Sequence, residues 1–189
     1  MDNLKETPSR QAFILETAFK VFARHGFKKT SMEDIAQAAQ ISRQGLYLHF
    51  KNKEDIFRAA IQKVMDDSLA AATKALNDKG GKLEDKLLNA LDGWFGQYVG
   101  LFHPEASDLR HHARQMLGNA LVDDWRASFQ KQMTTVIARA SSQQDKVQRA
   151  IEITQILCAC GMTWKHDLAS RDEFLRRMKT TIRICCQNL

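Results

Sequence analysis

The feature that most restricts the fold is a pair of short amphipathic segments in residues 31–53, each of which begins with a serine. Ser31 precedes Asp34 by three positions, the spacing at which a hydroxyl and a carboxylate satisfy free N–H groups at a helix start. Ser42 is a second candidate for a helix N-cap. The apolar residues that follow at helical spacing are Ile35, Ala36 and Ala39, then Leu46, Tyr47 and Phe50. We therefore predict two short helices joined by a tight turn.

Two helices this short bury too little apolar surface to be stable alone, so a third must pack on them. Residues 9–25 supply it, with one apolar face formed by Ile14, Ala18, Val21 and Phe22. Three helices with a basic, hydroxyl-rich edge are typical of a helix-turn-helix that reads DNA. The simpler alternative is a small helical domain whose polar residues are only solvated.

Residues 10–60 resemble, without a gap, the N-terminal signature of the TetR family of bacterial transcriptional repressors. The matching residues are Phe27, Thr30, Ser31, Ile35, Ala36, Ala39, Ile41, Ser42, Leu46, Tyr47, His49, Phe50, Lys53 and Glu54. The resemblance implies a homodimer that binds a palindromic operator in double-stranded DNA. It also implies that a small-molecule effector, bound in the C-terminal part of the chain, lowers the affinity for that operator.

Two positions depart from the family pattern. Gln40 stands in the inter-helix turn where the family usually has glycine. If the backbone there is left-handed, a residue other than glycine costs about 1 kcal/mol. Gln44 and Gly45 occupy a site where glycine followed by a small residue is commoner, which is expected to alter the bases that are read.

Nine residues are predicted to contact DNA. Arg43 and Gln44 begin the second short helix and suit guanine and adenine, while Gly45 lets the backbone approach closely. Tyr47 and His49 resemble the phosphate-contacting pair of the family. Lys53 adds a charge at the start of the next helix, and Thr30 and Ser31 would donate to phosphate from the other side. The full predicted set is Thr30, Ser31, Ser42, Arg43, Gln44, Gly45, Tyr47, His49 and Lys53.

The rest of the chain reads as helical, because only 2 prolines and 9 glycines interrupt 189 residues. The predicted helices cover residues 52–77, 82–101, 104–117, 119–140, 143–165 and 172–187. We therefore predict an all-α fold of about nine helices. A helix-turn-helix DNA-binding domain occupies residues 1–52, and a ligand-binding and dimerisation domain occupies residues 53–189.

The net charge is +6, and residues 1–63 hold 11 Lys and Arg against 7 Asp and Glu. That excess lies where DNA would be met.

The last two helices are candidates for the dimer interface. The segment 147–164 is apolar on opposite faces, which indicates burial on two sides. Glycine at position 161 is small enough to let a partner helix approach. The predicted interface residues are Ile153, Leu157, Cys160, Gly161, Trp164, Phe174, Met178 and Ile182. Two such helices per chain would form a four-helix interface about a two-fold axis. The alternative is a helix hairpin that is wholly internal.

Aromatic and methionine side chains in the same region could line a cavity for an apolar or aromatic effector. The candidates are Trp94, Phe95, Tyr98, Phe102, Met116, Trp125, Phe129, Met133, Met162 and Trp164, with His111 as a polar group. The alternative for each of them is ordinary core packing.

No metal, cofactor or catalytic residue is predicted. The neighbouring His111 and His112 project about 100° apart on a helix, and His103 does not complete a compact zinc motif. Four cysteines without an extracellular signal suggest reduced thiols, and no apolar run approaches the length of a membrane span, so we expect a cytoplasmic protein. Two alternative functions remain open. One is a thiol redox sensor on the same scaffold, and the other is a helical enzyme with a vestigial DNA-binding head.

Overall fold

A computed structural model of the protein describes residues 9–187 and 189, and within them all regular secondary structure is helical. The α-helices are α1 Arg10–Lys29, α2 Met32–Ala38, α3 Arg43–Tyr47, α4 Lys53–Leu76, α5 Leu83–Trp94, α6 Leu109–Leu117, α7 Asn119–Ala140, α8 Lys146–Asp167 and α9 Arg171–Cys185. Two short 3-10 helices cover Gly96–Tyr98 and Pro104–Ala106. The predicted all-α fold is confirmed. None of these helices is long and apolar enough to cross a membrane.

The described residues form two compact units. The first, called the head, contains the residues up to Val64 together with His103–Asn119. The second, called the body, contains Met65–Phe102 and Ala120–Leu189. The domain boundary expected at residues 52/53 stays a prediction, and the first eight residues of that domain lie outside the described residues.

The core of the head is built from the apolar faces that the sequence indicates. Ile14, Ala18 and Phe22 of α1 are fully buried, and so are Ile35 of α2 and Leu46 of α3. Aromatic rings fill the space between α1 and α4. These are Phe22, Phe27 and Phe57, whose centroids lie 4.9–6.0 Å apart. Burial of this apolar surface stabilises the packing of the short helices α2 and α3 on α1.

Helix α1 breaks at Gly26, whose φ of 79° and ψ of 165° interrupt the regular hydrogen-bond ladder. A residue other than glycine is disfavoured at this φ. The segment before α6 binds the backbone groups freed by the break. Asp108 accepts hydrogen bonds from the N–H groups of Phe27 and Lys28, both at 3.3 Å, and the N–H of His103 donates to the carbonyl of Ala23 at 3.0 Å. The helix predicted over residues 9–25 therefore runs one turn longer, past a break.

The body is held together by contacts between residues distant in sequence. Asp92 of α5 forms an ion pair with Arg171 of α9, with Oδ1 2.8 Å from Nε. The indole N–H of Trp125 donates to Asp66 at 2.8 Å. The helix predicted over residues 82–101 stops at Trp94, because Phe95 leaves the helical conformation and Gly96 is buried against the ring of Phe174.

Candidate nucleic-acid interface and body cavity

The turn between α2 and α3 is closed by a Schellman arrangement. The N–H of Gln40 donates to Gln37 O at 3.1 Å, and the N–H of Ile41 donates to Ala36 O at 3.0 Å. This pattern places the residue after the helix end in the left-handed region, where glycine is preferred. Gln40 has a φ of 55°. The left-handed turn residue considered from the sequence is therefore confirmed, and Gln40 adopts this conformation without the freedom of a glycine.

Both short helices begin as the sequence predicts. Ser31 and Asp34 form a capping box, in which Ser31 Oγ accepts from Asp34 N at 3.2 Å and Asp34 Oδ2 accepts from Ser31 N at 2.8 Å. Hydrogen bonds donated to the Asp34 carboxylate by the hydroxyl and by the backbone N–H of Ser31 lower the pKa of that carboxyl. Ser42 Oγ accepts from Gly45 N at 3.0 Å. A Cβ at Gly45 would lie only 3.2 Å from that same oxygen, so glycine at this position avoids a close contact with the capping hydroxyl.

One side of α3 faces outward. Leu46 is fully buried and fixes the orientation of the helix, while Arg43, Gln44 and His49 are exposed. The guanidinium carbon of Arg43 lies 5.7 Å from the centre of the Tyr47 ring. A hydrogen bond to Tyr47 raises the pKa of Arg43 further above its usual range. The outward side therefore presents a cation, an amide, a phenol and an imidazole.

The side chains of Thr30 and Lys53 both donate hydrogen bonds to backbone carbonyls of the head. Thr30 is 2% exposed and its hydroxyl donates to Gly26 O at 2.7 Å, so the expected phosphate contact by this hydroxyl is wrong. The ammonium of Lys53 donates to Phe27 O at 2.9 Å and to Thr30 O at 2.8 Å. These bonds use two of its three N–H donors, because the break in α1 leaves carbonyls that need partners. Its phosphate contact stays a prediction. Ser31 is exposed, but its hydroxyl already donates to Asp34 Oδ2 at 2.7 Å.

Sequence reasoning missed Leu48. Its side chain is 86% exposed, the largest exposed fraction among the large apolar residues of the described chain. Leu48 follows Gln44 by one helical turn and stands beside Tyr47, which is 43% exposed. The signal was available, because Leu46 and Phe50 bury their side chains at a spacing that leaves position 48 on the opposite side.

A cavity of about 360 Å³, the body cavity, lies within the body. Its ten described lining residues are Trp94, Phe95, Arg126, Phe129, Gln130, Gln155, Cys158, Ala159, Met162 and Thr163. Four of the predicted residues, Trp94, Phe95, Phe129 and Met162, are among them. The polar lining residues were missed, because periodicity singles out apolar positions only.

The other predicted cavity residues do not line this space. Tyr98 forms a hydrogen bond of 2.6 Å with Ser68, Met133 is fully buried, and the indole of Trp125 donates to Asp66. The remaining ones, Phe102, His111, Met116 and Trp164, lie outside the lining. His111 and Met116 belong to the head, where the His111 ring lies 5.8 Å from that of His112.

Most predicted interface residues lie in the core of the body. Ile153, Leu157, Phe174, Met178 and Ile182 are at most 4% exposed. A side chain that its own subunit buries has no surface left for a partner, so the prediction that these five residues form the dimer interface is wrong. The same applies to Gly161, because a Cβ there would lie 2.7 Å from Cε2 of Phe95. Cys160 and Trp164 are half-buried.

All four cysteines are free thiols. Burial raises the pKa of Cys158 and of Cys186 to about 11, and it also raises the pKa of Cys160 and Cys185. A thiol with a raised pKa holds little reactive thiolate at neutral pH. These environments favour structural over redox-active cysteines.

Comparisons with known proteins agree with this geometry. The family described as "Bacterial regulatory proteins, tetR family" matches residues 14–60. The HTH-type transcriptional regulator YfiR of Bacillus subtilis (strain 168) is 42% identical over 66 residues, covering 35% of this chain and 32% of YfiR. The probable acrEF/envCD operon repressor of Escherichia coli (strain K12) is 26% identical over 156 residues, covering 76% of this chain and 67% of that protein.

Solved structures share the fold over nearly the whole chain. A TetR-like transcriptional regulator from Rhodococcus sp. RHA1 is 25% identical with a TM-score of 0.64, covering 93% of this chain and 94% of that one. AibR, solved in complex with isovaleryl coenzyme A and operator DNA, is 19% identical with a TM-score of 0.62, covering 96% and 100%. Residues 14–60 of this chain therefore match the TetR family, and the fold of the whole described chain is that of TetR-like regulators, which together support a TetR-family transcriptional regulator.

Proposed function

We propose that the protein is a transcriptional repressor that binds a palindromic operator in double-stranded DNA as a homodimer and is released by a small effector. The outward side of α3 carries the proposal, because it presents Arg43, Gln44, Tyr47 and His49 while Leu46 anchors the helix in the core. A short helix held in this way can enter the major groove with its polar side. The Escherichia coli relative is itself named a probable operon repressor.

Three side chains on this surface can read bases. Arg43 can donate two hydrogen bonds to guanine, and Gln44 can pair with adenine. Leu48 adds an apolar contact suited to the methyl group of thymine, because it is largely exposed one turn after Gln44. We expect the operator half-site to contain a thymine within reach of this leucine.

Phosphate contacts position the head on the DNA. Tyr47 and His49 are exposed beside the base-reading residues and can donate hydrogen bonds. Exposed cations of the head, among them Arg24, Lys28 and Lys51, supply favourable charge. Their number predicts affinity that falls steeply as salt concentration rises.

Selection from random DNA tests this proposal. The wild-type protein is incubated with duplexes that carry a randomised central region, and bound duplexes are recovered and sequenced over several rounds. Enrichment of an inverted repeat is the expected result, because a two-fold dimer presents two copies of α3. Binding without any enriched sequence would show that the head contacts only the backbone.

The homodimer is proposed to form through the outer sides of α8 and α9. Ile156 is 48% exposed and Ile184 is 63% exposed, and each adjoins a half-buried thiol, Cys160 or Cys185. Burial, and after it the neighbouring Cys160, raises the pKa of Cys185, so these two thiols lie near each other on the outer sides of α8 and α9. Analytical ultracentrifugation of Ile156→Glu and Ile184→Glu should show monomers where the wild type is a dimer. Monomeric wild-type protein at working concentration would contradict the dimer.

Effector release is favoured over the two alternative functions. The body cavity offers a binding site, whereas the raised pKa of each cysteine disfavours oxidation by a thiolate route. Peroxide should leave DNA binding unchanged in the wild type and in a Cys158→Ser, Cys160→Ser variant. Release by peroxide that the variant lacks would support the redox sensor. Turnover of a bound molecule without sequence-selective DNA binding would support the enzyme.

A further inference from the structure

The body cavity has flat aromatic walls. The rings of Trp94 and Phe129 are stacked, with centroids 4.7 Å apart and planes 7° apart. The Phe95 ring stands almost perpendicular to both, at 85° and 88°. All three side chains are at most 7% exposed, so their rings are held in place by the core. Rigid walls of this shape favour a flat apolar group over a bulky one.

The volume of about 360 Å³ lies at the lower end of the range for small-molecule sites, which is about 300–1,000 Å³. A ligand of one or two fused rings with a single substituent fits this space. Met162, which also lines the cavity, has a flexible thioether that can adapt to the edge of such a ring.

The polar part of the cavity lining is positively charged. Arg126 is the sole charged side chain among the ten described lining residues, and the other polar groups are Gln130, Gln155 and Thr163. Arg126 is exposed and has no ion-pair partner within the described part of the chain. The Cys158 thiol, whose pKa is about 11, stays neutral and adds no negative charge. The electrostatic balance of the cavity therefore favours an anion.

We propose that the body cavity binds a small aromatic monocarboxylate, whose carboxylate pairs with Arg126 and whose ring packs against Trp94 and Phe129. An arginine can hold a carboxylate through two parallel hydrogen bonds. One cation matches one negative charge, which separates this class from multiply charged phosphate esters. This proposal names the chemical class of the effector, so it rests on the proposed function, in which a small effector releases the protein from DNA.

Isothermal titration calorimetry with three probes of one shape tests the site. The probes are 2-naphthoate, the neutral 2-naphthamide and the cationic 2-naphthylmethylamine. The wild type should bind the carboxylate about tenfold more tightly than the amide, and the amine most weakly. Arg126→Gln should abolish the preference for the carboxylate. Arg139→Gln should keep it, because Arg139 is exposed on the same helix but does not line the cavity.

Equal affinity of the wild type for carboxylate and amide, or a preference that survives Arg126→Gln, would overturn the proposal. So would the absence of binding by all three probes to the folded protein. The calorimetry contains no DNA, so these results leave the proposed DNA binding untouched. Adding 2-naphthoate to the complex with a selected duplex should weaken DNA binding. Binding of 2-naphthoate without that weakening would confirm the site and contradict effector release.

Discussion

The head and the body are both helical, but different kinds of contact fix their helices. In the head, serine side chains cap the starts of α1, α2 and α3, and a Schellman turn closes α2. In the body, Ser170 caps α9 in the same way, but α5 and α8 begin without a side-chain cap hydrogen bond. Their positions depend on contacts such as Asp92 with Arg171, which are 79 residues apart. The starts of α1, α2 and α3 in the head therefore follow from local sequence, whereas the placement of α5 in the body follows from packing between distant residues.

The largest effect on stability is expected for a substitution at Gly161 in the body. Replacing Gly161 with leucine places side-chain atoms in the space of the Phe95 ring and should lower the free energy of unfolding by about 3 kcal/mol. Gly80→Leu is the control, because a Cβ at Gly80 meets nothing within 4 Å. Urea denaturation of both variants measures the difference. Unchanged stability of Gly161→Leu would mean that the glycine faces away from Phe95.

The next effect is at Lys53 in the head. Lys53→Met removes the ammonium that donates to Phe27 O and Thr30 O, and should lower stability by about 2 kcal/mol. Lys51→Met, at an exposed position, should change stability by less than about 0.5 kcal/mol. Denaturation and the salt dependence of DNA binding are both measured. A phosphate role for Lys53 would instead appear as a log–log salt slope flatter by about two units in a dimer.

A smaller effect of opposite sign is expected at Gln40. Gln40→Gly should raise stability by about 1 kcal/mol, because glycine adopts a φ of 55° without steric strain. Gln37→Gly, within α2, should lower it by about 1 kcal/mol, because glycine is unfavourable inside a helix. Thermal unfolding of the two variants gives the comparison. The same sign for both would show that the turn does not favour glycine.

The smallest effect is a pH dependence at the start of α2. Hydrogen bonds from Ser31 lower the pKa of Asp34 below its usual value of 3.8, so the folded head favours the carboxylate. The stabilisation is therefore present above about pH 4 and is lost as the pH falls through the lowered pKa. The stability difference between the wild type and Asp34→Asn should shrink over that interval. A difference that stays constant down to pH 2 would contradict this origin.

The sequence predicted the helices of the head more completely than those of the body, because local signals mark the starts of α1, α2 and α3. A serine cap and an apolar stripe act within a few residues, so Ser31, Ser42 and Leu46 could be assigned from spacing alone. The break at Gly26 could not, and it determines where Thr30 and Lys53 donate their hydrogen bonds. Which base or phosphate each head residue contacts depends on the operator DNA, and neither the amino-acid sequence nor the fold specifies that DNA.

In the body, periodicity identified the helices but not their orientation. Helix α8 is apolar on opposite faces, and it is packing within the body that makes Ile153, Leu157 and Gly161 face inward, with Gly161 against the Phe95 ring. The polar lining of the body cavity was missed for a related reason. Arg126 and Gln130 look like ordinary solvated residues of α7 until α5 and α8 are placed beside them.

The most direct test of the account is the sequence preference of Gln44→Ala. Affinity is measured by fluorescence anisotropy for a selected duplex and for a duplex of the same composition in permuted order, with Gln62→Ala of α4 as the control. The account predicts that Gln44→Ala lowers the ratio of the two affinities by about tenfold or more, while Gln62→Ala leaves it unchanged. Equal losses on both duplexes would contradict base reading by α3.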